Sequence, residues 1–425
     1  MNFIQEKARE IPVYETVDIL VVGGGPAGFG AAYTAGKLGL KVMLIEQSGA
    51  IGGVATTGIM SHWTGHQEGG LYEEVLERTS ESECPQVINP ESLKMHLLEM
   101  LKEANVIIQL YTFACEPILE GDTIKGVIVE SKSGREAILA KIVIDSSGDG
   151  DIAARSGVPF RKGREGDGKM QPMTIMFKVA NVDMEQAHFF WGFEDTIELP
   201  DGDLQTLGRK HLPFPAGHIL LYPATLPGVV TVNMTNAIDV DGTDVRDLVK
   251  AEYTCRRQIA PIVEFLRKFV PGYDGCFAID SANAIGVRET RRFEASHDLS
   301  ESDILEAAQF DDWVVTKVKF FFDLHNVSGA GLDSKGAYKS FTQTKSYTIP
   351  FRCFVPKKIN NLLLNGRNIA GTHIAHSSYR VMPTCINMGQ AMGVAASLCV
   401  RQQKTPAQLD VRDIQNELIQ LGVCL

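Results

Sequence analysis

Hydrophobic positions near the start of the chain run almost without a break from Val17 to Val22 and stop at a cluster of glycines. A continuous run of β-branched residues predicts a strand that is buried on both faces, as in a parallel sheet. The next segment, Ala27 to Leu38, carries Ala and Leu at helical spacing, and Lys41 to Ile45 predicts a second buried strand. The chain therefore begins with a predicted strand–helix–strand unit.

Helical spacing and strand-like apolar runs recur later in the chain. Further helices are predicted at Leu71 to Ser80, Ser92 to Asn105, Val245 to Phe269 and Met388 to Val400. Further strands are predicted at Val106 to Leu110, Ile124 to Val129, Ala137 to Ile144, Thr174 to Val182, Ile219 to Tyr222, Val229 to Met234, Ala278 to Ile285 and Ile359 to Leu364.

The spacing of these elements predicts an α/β fold that contains an insertion. From about Arg161, short strands are interrupted by Pro and Gly and followed by one long helix, which is typical of an α+β substructure. The pattern of buried strand, glycine turn and small-residue helix returns after this insertion. We predict residues 1–160 as the first part of a dinucleotide-binding domain, 161–344 as an inserted substrate domain, and 345–425 as the C-terminal part of the first domain.

The glycines after the first strand have the spacing G-x-G-x-x-G, at Gly23, Gly25 and Gly28. The first glycine permits a tight turn, the second lets the backbone approach a pyrophosphate, and the third lets the helix pack closely. Glu46, at the end of the second strand, stands where a ribose diol needs an acceptor. Strand, glycines, helix, strand and acid occur in order, so the unit predicts a dinucleotide site.

Two other loops carry the small residues that a ligand can approach. The segment from Gly49 to Gly58 contains four glycines among small and apolar residues. The turn Asp145 to Asp151 follows an apolar strand, although turns of Asp and Gly often bind nothing. We interpret both as points where backbone meets the ligand, a flexible surface loop being the alternative for the first.

Composition narrows the class of protein. The formal net charge of -11 argues against a nucleic-acid-binding surface, which would concentrate positive charge. The eight cysteines form no C-x-x-C pair, so no metal site is predicted. Neither a signal peptide nor a membrane-spanning stretch is indicated, and we expect a cytoplasmic protein that acts on a small molecule. The oligomeric state cannot be read from the sequence.

Two polar segments supply candidates for chemistry. Gly286 to Arg292 places three arginines in five residues, either as a solvated charge run or as a clamp for an anion. Thr372 to Cys385 is too polar for a simple connection, and we interpret it as active-site lining. His62 is a weaker candidate for a contact with substrate or cofactor.

Four motifs together resemble the FAD-dependent oxidoreductase family. They are the turn at Gly23 to Gly28, the Asp-x-x-Gly-Asp-Gly-Asp turn at Asp145 to Asp151, Arg-Glu-Thr-Arg-Arg at Arg288 to Arg292, and a C-terminal segment from Gly366 through Arg-Val-Met-Pro-Thr-Cys to Ala391. The chain is also similar to the wider glutathione-reductase-type flavoproteins, which include the fumarate reductase flavoprotein and L-aspartate oxidase. Gln47 departs from the pattern, because many relatives place a basic residue there.

The resemblance implies a Rossmann-like, glutathione-reductase-type FAD-binding domain with an inserted α+β substrate domain. It implies FAD, with ADP on the first strand–helix–strand unit and Glu46 on the ribose. The expected FAD contacts are Gly23, Gly25, Pro26, Ala27, Gly28, Glu46, Gln47, Gly52, Gly53, Val54, Thr56, Ser147, Gly148, Asp149, Gly366, Arg367, Asn387, Met388, Gly389 and Ala391. The helix N-terminus expected near Asn387 to Gly389 would stabilise charge on the flavin.

On the substrate side, Arg288 and Arg380 are expected to bind or polarise an oxygen function, and His376 to transfer a proton, since histidine titrates near neutral pH. The expected function is two-electron hydride transfer between flavin N5 and a small organic substrate. The alternatives are an electron-transfer flavoprotein subunit and a non-redox binding protein on the same fold. His62 is the candidate for covalent FAD attachment, and we expect non-covalent FAD.

Overall fold

The computed structural model describes residues 3–81, 84–333 and 343–425 of the chain. Residues 334–342 of the predicted insertion lie outside this range. In the part of the chain that the structure describes, no helix is long and apolar enough to cross a membrane.

Strands and helices alternate in the first part of the chain and again near its end. The strands are β1 (Val13–Val22), β2 (Val42–Ile45), β3 (Ile107–Gln109), β4 (Phe113–Glu120), β5 (Thr123–Ser131), β6 (Gly134–Asp145), β7 (Phe160–Lys162), β8 (Phe177–Ala180), β9 (Glu198–Leu199), β10 (Gly202–Asp203), β11 (Leu221–Pro223), β12 (Val230–Val232), β13 (Phe277–Ser281), β14 (Arg291–Phe293), β15 (Trp313–Val318), β16 (Tyr347–Pro350) and β17 (Leu362–Leu364). The α-helices are α1 (Pro26–Lys37), α2 (Leu71–Thr79), α3 (Pro90–Glu103), α4 (Asp151–Arg155), α5 (Leu204–His211), α6 (Val245–Phe269), α7 (Glu301–Leu305), α8 (His373–Tyr379), α9 (Met382–Gln402) and α10 (Val411–Gln420).

The largest sheet has the strand order β3-β2-β1-β6-β5-β4, with β17 also paired to β6. Strands β1, β2, β3, β6 and β17 pair in parallel, whereas β4, β5 and β6 pair antiparallel. The first half of β6 pairs with β5 and its last three residues pair with β17. The predicted Rossmann-like α/β fold is confirmed.

The parallel strands end at one edge of this sheet, and that edge positions the glycine-rich turns. Because β1, β2, β6 and β17 run in the same direction, the residues that follow them are brought together: Gly23, Glu46, Ser146 and Asn365. Ligands of open parallel sheets bind outside this carboxyl edge.

Glycines allow α1 and α9 to cross with their backbones in contact. A Cβ atom on Gly389 would lie 2.2 Å from the carbonyl oxygen of Ala27, and one on Gly393 would lie 2.7 Å from that of Ala31. On α1, a Cβ atom on Gly30 would lie 2.4 Å from the carbonyl oxygen of Ile386. The small residues of the C-terminal helix therefore serve this helix–helix contact.

The beginning of α9 differs from the prediction. The helix starts at Met382, six positions before the predicted Met388, because Pro383 fits the first turn of a helix. Asn387 to Gly389 consequently lie inside the helix, and the expectation that they form its N-terminus is wrong. The polar segment before it also forms a helix, α8.

A second hydrophobic core takes its residues from Phe177 to Cys276, within the predicted insertion. It packs α6, whose predicted bounds are confirmed, against the sheet β11-β12-β8-β13. Strand β13 ends at Ser281 rather than Ile285, because the N–H groups of Asn283 and Ala284 donate to the carbonyl oxygen of Thr57 in the first domain. The chain thus leaves strand β13 at Ser281, and the arginine segment that follows runs towards the large sheet.

The α1–α9 crossing predicts the effect of one added methyl group. We expect Gly389→Ala to lower the free energy of unfolding by about 2 kcal/mol, since the methyl group meets backbone atoms that have no room to move. In a helix without this contact, Ala would be more stabilising than Gly by about 1 kcal/mol. A net loss of stability therefore requires that the steric clash outweigh this preference. Denaturant unfolding measures the change. Gly329→Ala is the control, because its nearest neighbours would lie at 3.7 Å; equal stability of the two variants would contradict the close crossing.

Candidate active site

A cavity of about 840 Å³ lies at the carboxyl edge of the large sheet. Its walls include the turn after β1, the end of β2, the turn after β6 and the turn after β17. Residues from the second core, among them Tyr222 and Asn233, line it as well. The predicted dinucleotide loops and residues of the predicted insertion thus line one cavity.

The three glycines after β1 have separate tasks. Gly23 has a φ of +98°, and a Cβ atom there would lie 2.5 Å from the carbonyl oxygen of Ser146. A Cβ atom on Gly28 would lie 1.8 Å from the carbonyl oxygen of Gly23. A Cβ atom on Gly25 would meet no protein atom within 4 Å, and Gly25 lines the cavity. Two glycines are therefore needed for packing, and Gly25 leaves space at the start of α1 that suits a pyrophosphate.

The carboxylate of Glu46 holds the loops on either side of it. Its two oxygens accept hydrogen bonds from the backbone N–H groups of Gly24 and Ser48, each at 2.7 Å. A carboxylate has further lone pairs, and Glu46 and its neighbour Gln47 both line the cavity. Acceptor capacity thus remains for a ribose diol at the predicted position.

Asp145 organises the turn after β6 without facing the cavity. It is fully buried, accepts from Ser147 N and Oγ at 3.1 and 2.7 Å, and accepts from Ala153 N at 2.8 Å. Burial raises the pKa of Asp145, against the opposing effect of these hydrogen bonds. The turn that it fixes brings Ser147, Gly148 and Asp149 to the cavity wall.

An ion pair joins this turn to the one after β17. Arg367 donates to Asp149 Oδ1 at 2.6 Å and to the hydroxyl of Thr290 at 3.2 Å. Thr290 in turn donates to the same Asp149 oxygen at 2.6 Å. Arg367 lines the cavity beside Gly366, which has a φ of +85°.

The three arginines of the predicted clamp separate in the fold. Arg291 pairs with Asp151 at 2.9 Å, and Arg292 pairs with the buried Glu289. Only Arg288 lines the cavity. The segment is therefore neither a solvated run nor a threefold clamp, since two of its arginines support structure and one faces the ligand space.

Arg288 is a buried cation with few partners. It is 8% exposed, and its single side-chain hydrogen bond among the described residues goes to the carbonyl oxygen of Pro172 at 2.6 Å. Burial and the neighbouring Arg380 lower the pKa of Arg288 to about 10, so it remains charged at neutral pH. An incompletely paired buried charge is costly, and an anionic ligand would offset that cost.

Arg380 and His325 flank one carboxylate at the same cavity. Asp323 Oδ2 accepts from Arg380 Nη2 at 3.0 Å, and its Oδ1 lies 3.3 Å from His325 Nε2. Burial alone would raise the pKa of Asp323, but His325, Arg380 and Arg288 hold it below its usual value. Burial and Arg288 lower the pKa of His325 to about 4, so its ring is neutral at pH 7.

The structure brings most of the predicted site residues together. Those that line the cavity are Gly23, Gly25, Pro26, Ala27, Glu46, Gln47, Gly53, Val54, Ser147, Gly148, Asp149, Arg288, Gly366, Arg367 and Arg380. Those that do not line it are Gly28, Gly52, Thr56, His376, Asn387, Met388, Gly389 and Ala391.

The predicted residues away from the cavity have structural contacts. Thr56 donates to the carbonyl oxygen of Ile51 at 2.8 Å, and Gly52 has a φ of +110° in the same turn. Asn387 accepts from Tyr72 N at 2.9 Å and so caps the start of α2. His376 is 1% exposed, and burial lowers its pKa well below the usual value.

The first turn of α9 takes the place that was predicted for Asn387 to Gly389. Val381, Met382 and Cys385 line the cavity. The positive end of the helix dipole therefore lies at the cavity wall, six positions earlier in the chain than expected.

Apart from Arg288, sequence reasoning missed the cavity residues that the predicted insertion contributes. Asp323 and His325 alternate after an aromatic run, a spacing that could have placed both on one side of an extended segment. Trp191, Phe193 and Tyr222 carry no comparable pattern. Their role depends on how the second core packs against the large sheet.

A family model described as FAD dependent oxidoreductase matches residues 18–418 of this chain. The match includes the turns after β1, β6 and β17 and the cavity arginines Arg288, Arg367 and Arg380.

Several characterised proteins share part of the chain. Digeranylgeranylglycerophospholipid reductase from Methanosarcina acetivorans is 27% identical over 205 residues, which cover 42% of this chain and 48% of that protein. Fumarate reductase (cytochrome) from Shewanella frigidimarina is 47% identical over 58 residues, 13% of this chain and 10% of that protein. Each similarity thus spans less than half of the relative. A geranylgeranyl bacteriochlorophyll reductase-like protein from Thermoplasma acidophilum superposes with a TM-score of 0.49 at 16% identity, covering 96% of this chain and 83% of the other.

Because Gly25 lies beside open space, a larger side chain there should affect FAD binding without affecting stability. We expect Gly25→Val to abolish FAD retention, because the side chain would occupy the space beside the start of α1. Its unfolding free energy without cofactor should stay within about 0.5 kcal/mol of the parent value. Visible absorbance after gel filtration measures FAD, and denaturant unfolding of cofactor-free protein measures stability. The matched variant Gly28→Val should lose both; FAD retained by Gly25→Val would disprove this assignment.

Proposed function

Because this chain belongs to the FAD-dependent oxidoreductase family, we propose that it catalyses two-electron, hydride-transfer chemistry on a small organic substrate that carries an anionic group. The observation that supports the anionic group is Arg288, a buried guanidinium with a single side-chain hydrogen bond among the described residues. It faces the same cavity as the glycine-rich loop. One ligand space therefore offers a dinucleotide site and an unfilled anion site.

FAD, when bound, supplies the redox chemistry by exchanging a hydride with a substrate carbon. The chain contributes binding, orientation and charge. The turn at Gly23 to Gly28 and the carboxylate of Glu46 would hold the ADP portion. The first turn of α9, at Met382, would provide the positive end of its dipole to negative charge on the cofactor.

Arg288 and Arg380 would hold the anionic group of the substrate. Arg380 is already oriented by Asp323, and its Nε atom is buried without a hydrogen-bond partner among the described residues. Guanidinium groups bind carboxylates in a fixed planar geometry, so the pair would orient the substrate as well as attract it.

His325 replaces His376 as our candidate for proton transfer. Hydride transfer from a C–H bond leaves one proton to be removed from the substrate oxygen or nitrogen, and a neutral imidazole can accept it. His325 lines the cavity, and Asp323 lies beside its Nε2 atom. Asp323 acts as a positioning residue that would stabilise the imidazolium after proton transfer.

The buried cation also bears on the two alternatives. An electron-transfer subunit requires only that the flavin reach its partner, and a non-redox binding protein requires no reactive group beside the cofactor. Arg288 and the Asp323–His325 pair beside the glycine loop favour an enzyme that binds its own substrate.

The role of Arg288 can be tested with a panel of small acids, alcohols and amines. The FAD-loaded protein is mixed anaerobically with each compound, and bleaching or reoxidation of the flavin is followed. For a reactive acid, we expect Arg288→Gln to lower kcat/KM about 100-fold, or about 3 kcal/mol, with FAD content unchanged. Arg257→Gln, on the exposed face of α6, is the control. Full activity of Arg288→Gln, or reaction only with uncharged compounds, would refute the proposed anion site.

The role of His325 is tested by the pH dependence of substrate oxidation. A base must be deprotonated to act, so kcat/KM should fall as the pH drops through about 4, the pKa of His325 in the free protein. We expect His325→Gln to lower kcat about 100-fold and to abolish this acidic limb, with KM little changed. His188→Gln, an exposed histidine, should behave as the parent. An acidic limb that persists in His325→Gln would assign the proton to another group.

A further inference from the structure

Three aromatic rings form a cluster on the wall of the cavity. The centroid of His62 lies 4.5 Å from that of Tyr222 and 5.0 Å from that of Trp191, and the rings of Trp191 and Tyr222 are 5.4 Å apart. All three residues line the cavity. The ring planes of Trp191 and Tyr222 are inclined by 41°, and that of His62 is inclined to them by 74° and 68°, so the cluster is an angled aromatic wall on which each ring offers its own face or edge. Trp191 is still 48% exposed.

The loop that carries Trp191 is held in place over the cavity. Asp195 accepts hydrogen bonds from the backbone N–H groups of Trp191 and Gly192, each at 2.8 Å. Phe193 of the same loop packs against His325 with their centroids 5.1 Å apart. The loop therefore brings one ring to the aromatic cluster and another to the proton-transfer candidate.

The anion site lies next to this cluster. Asn233 donates to the phenol oxygen of Tyr222 at 3.5 Å and receives a hydrogen bond from the hydroxyl of Thr174 at 3.2 Å. Thr174 pairs with Gly286, two residues before Arg288. This chain of contacts joins the rings to the segment that carries the guanidinium.

The anion site formed by Arg288, Arg380 and Asp323 carries one net positive charge, and Glu194 and Asp333 place carboxylates elsewhere on the cavity wall. Arg288 and Arg380 are positive and Asp323 is negative, while His325 and His62 are neutral at pH 7 because burial lowers the pKa of each to about 4. One negative charge on a ligand would balance them. A second carboxylate would lie against aromatic rings or beside Asp323, where it would be desolvated or repelled.

We propose that the substrate is a planar monocarboxylic acid, aromatic or conjugated, whose carboxylate lies at Arg288 and whose ring or double bond packs against Trp191 and Tyr222. This inference rests on the proposed function and adds the class of substrate. Trp191 is then a specificity-determining residue, since its indole is the most exposed ring of the cluster and offers a planar face on which a planar ligand can stack.

Equilibrium dialysis of the FAD-loaded protein tests this class with four probes. trans-Cinnamate is planar and monoanionic, 3-cyclohexylpropanoate has the same charge without a planar body, cinnamyl alcohol lacks the charge, and succinate carries two charges. We expect cinnamate to bind about tenfold more tightly than each of the others, a ratio that ring packing and one paired charge can supply.

A matched pair of variants tests whether Trp191 is responsible for the preference for cinnamate. Trp191→Leu should weaken cinnamate binding about tenfold and leave 3-cyclohexylpropanoate unchanged. Tyr253→Leu removes an aromatic ring of similar exposure from the outer face of α6 and should change neither. Equal affinity of the parent for the two monoacids, tighter binding of succinate, or an unchanged preference in Trp191→Leu would each overturn the inference.

Dialysis measures only ligand binding, so a result against the planar monoacid can be distinguished from a result against the proposed redox reaction. A holoenzyme that exchanges electrons with a saturated or dianionic substrate would support redox catalysis and overturn the planar monoacid. A holoenzyme that prefers cinnamate but exchanges electrons with no compound would support the binding inference and overturn the proposed function.

Discussion

The close crossing of α1 and α9 is the contact on which the site depends. Gly30, Gly389 and Gly393 remove the side chains that would hold the two backbones apart. The N-terminus of α1 carries the glycine loop, and the N-terminus of α9 carries Met382 at the cavity wall. A shift at the crossing would therefore move both helix ends relative to the ligand. Close packing, which tolerates few changes of even one methyl group, fixes them instead.

Charge burial is the second constraint, and it separates structural arginines from the one that faces a ligand. Arg292 and Glu289 form a buried pair that His373 extends, with its Nδ1 atom 2.8 Å from the carboxylate. Arg367 is paired with Asp149 in the same way. Arg288 has no comparable partner among the described residues, although at 8% exposed it is nearly as buried as Arg292 at 6%. The fold thus accepts a cost at Arg288 that a ligand can offset, which is the usual arrangement at a binding site.

The inserted core completes the cavity from the opposite side. Asn283 and Ala284 bond to Thr57 of the first domain, and Gly286 bonds to Thr174 of the second. These backbone contacts place the arginine segment between a cofactor loop and an aromatic wall. In the proposed function, residues 161–333 would select what binds beside FAD, whereas the turns of the large sheet would hold FAD.

The sequence alone determined the parallel sheet, the glycine loop, Glu46, the FAD-dependent oxidoreductase family and the long helix α6. Local rules suffice for the strands, the glycine loop and α6, because buried strands, turn glycines and helical periodicity are encoded within short segments, whereas the family was indicated by a resemblance in four motifs. It also indicated Arg288 and Arg380 as site residues, through the motifs around them. It could not separate Arg288 from Arg291 and Arg292. The partner of Arg291, Asp151, is distant in the chain, and the nearby Glu289 pairs with Arg292 rather than with Arg288 only because of the folded backbone. Only the tertiary structure decided that Gly389 serves helix packing, that His376 lies away from the cavity, and that His325 and Trp191 line it. These outcomes follow from contacts between segments more than a hundred residues apart, which no local pattern specifies.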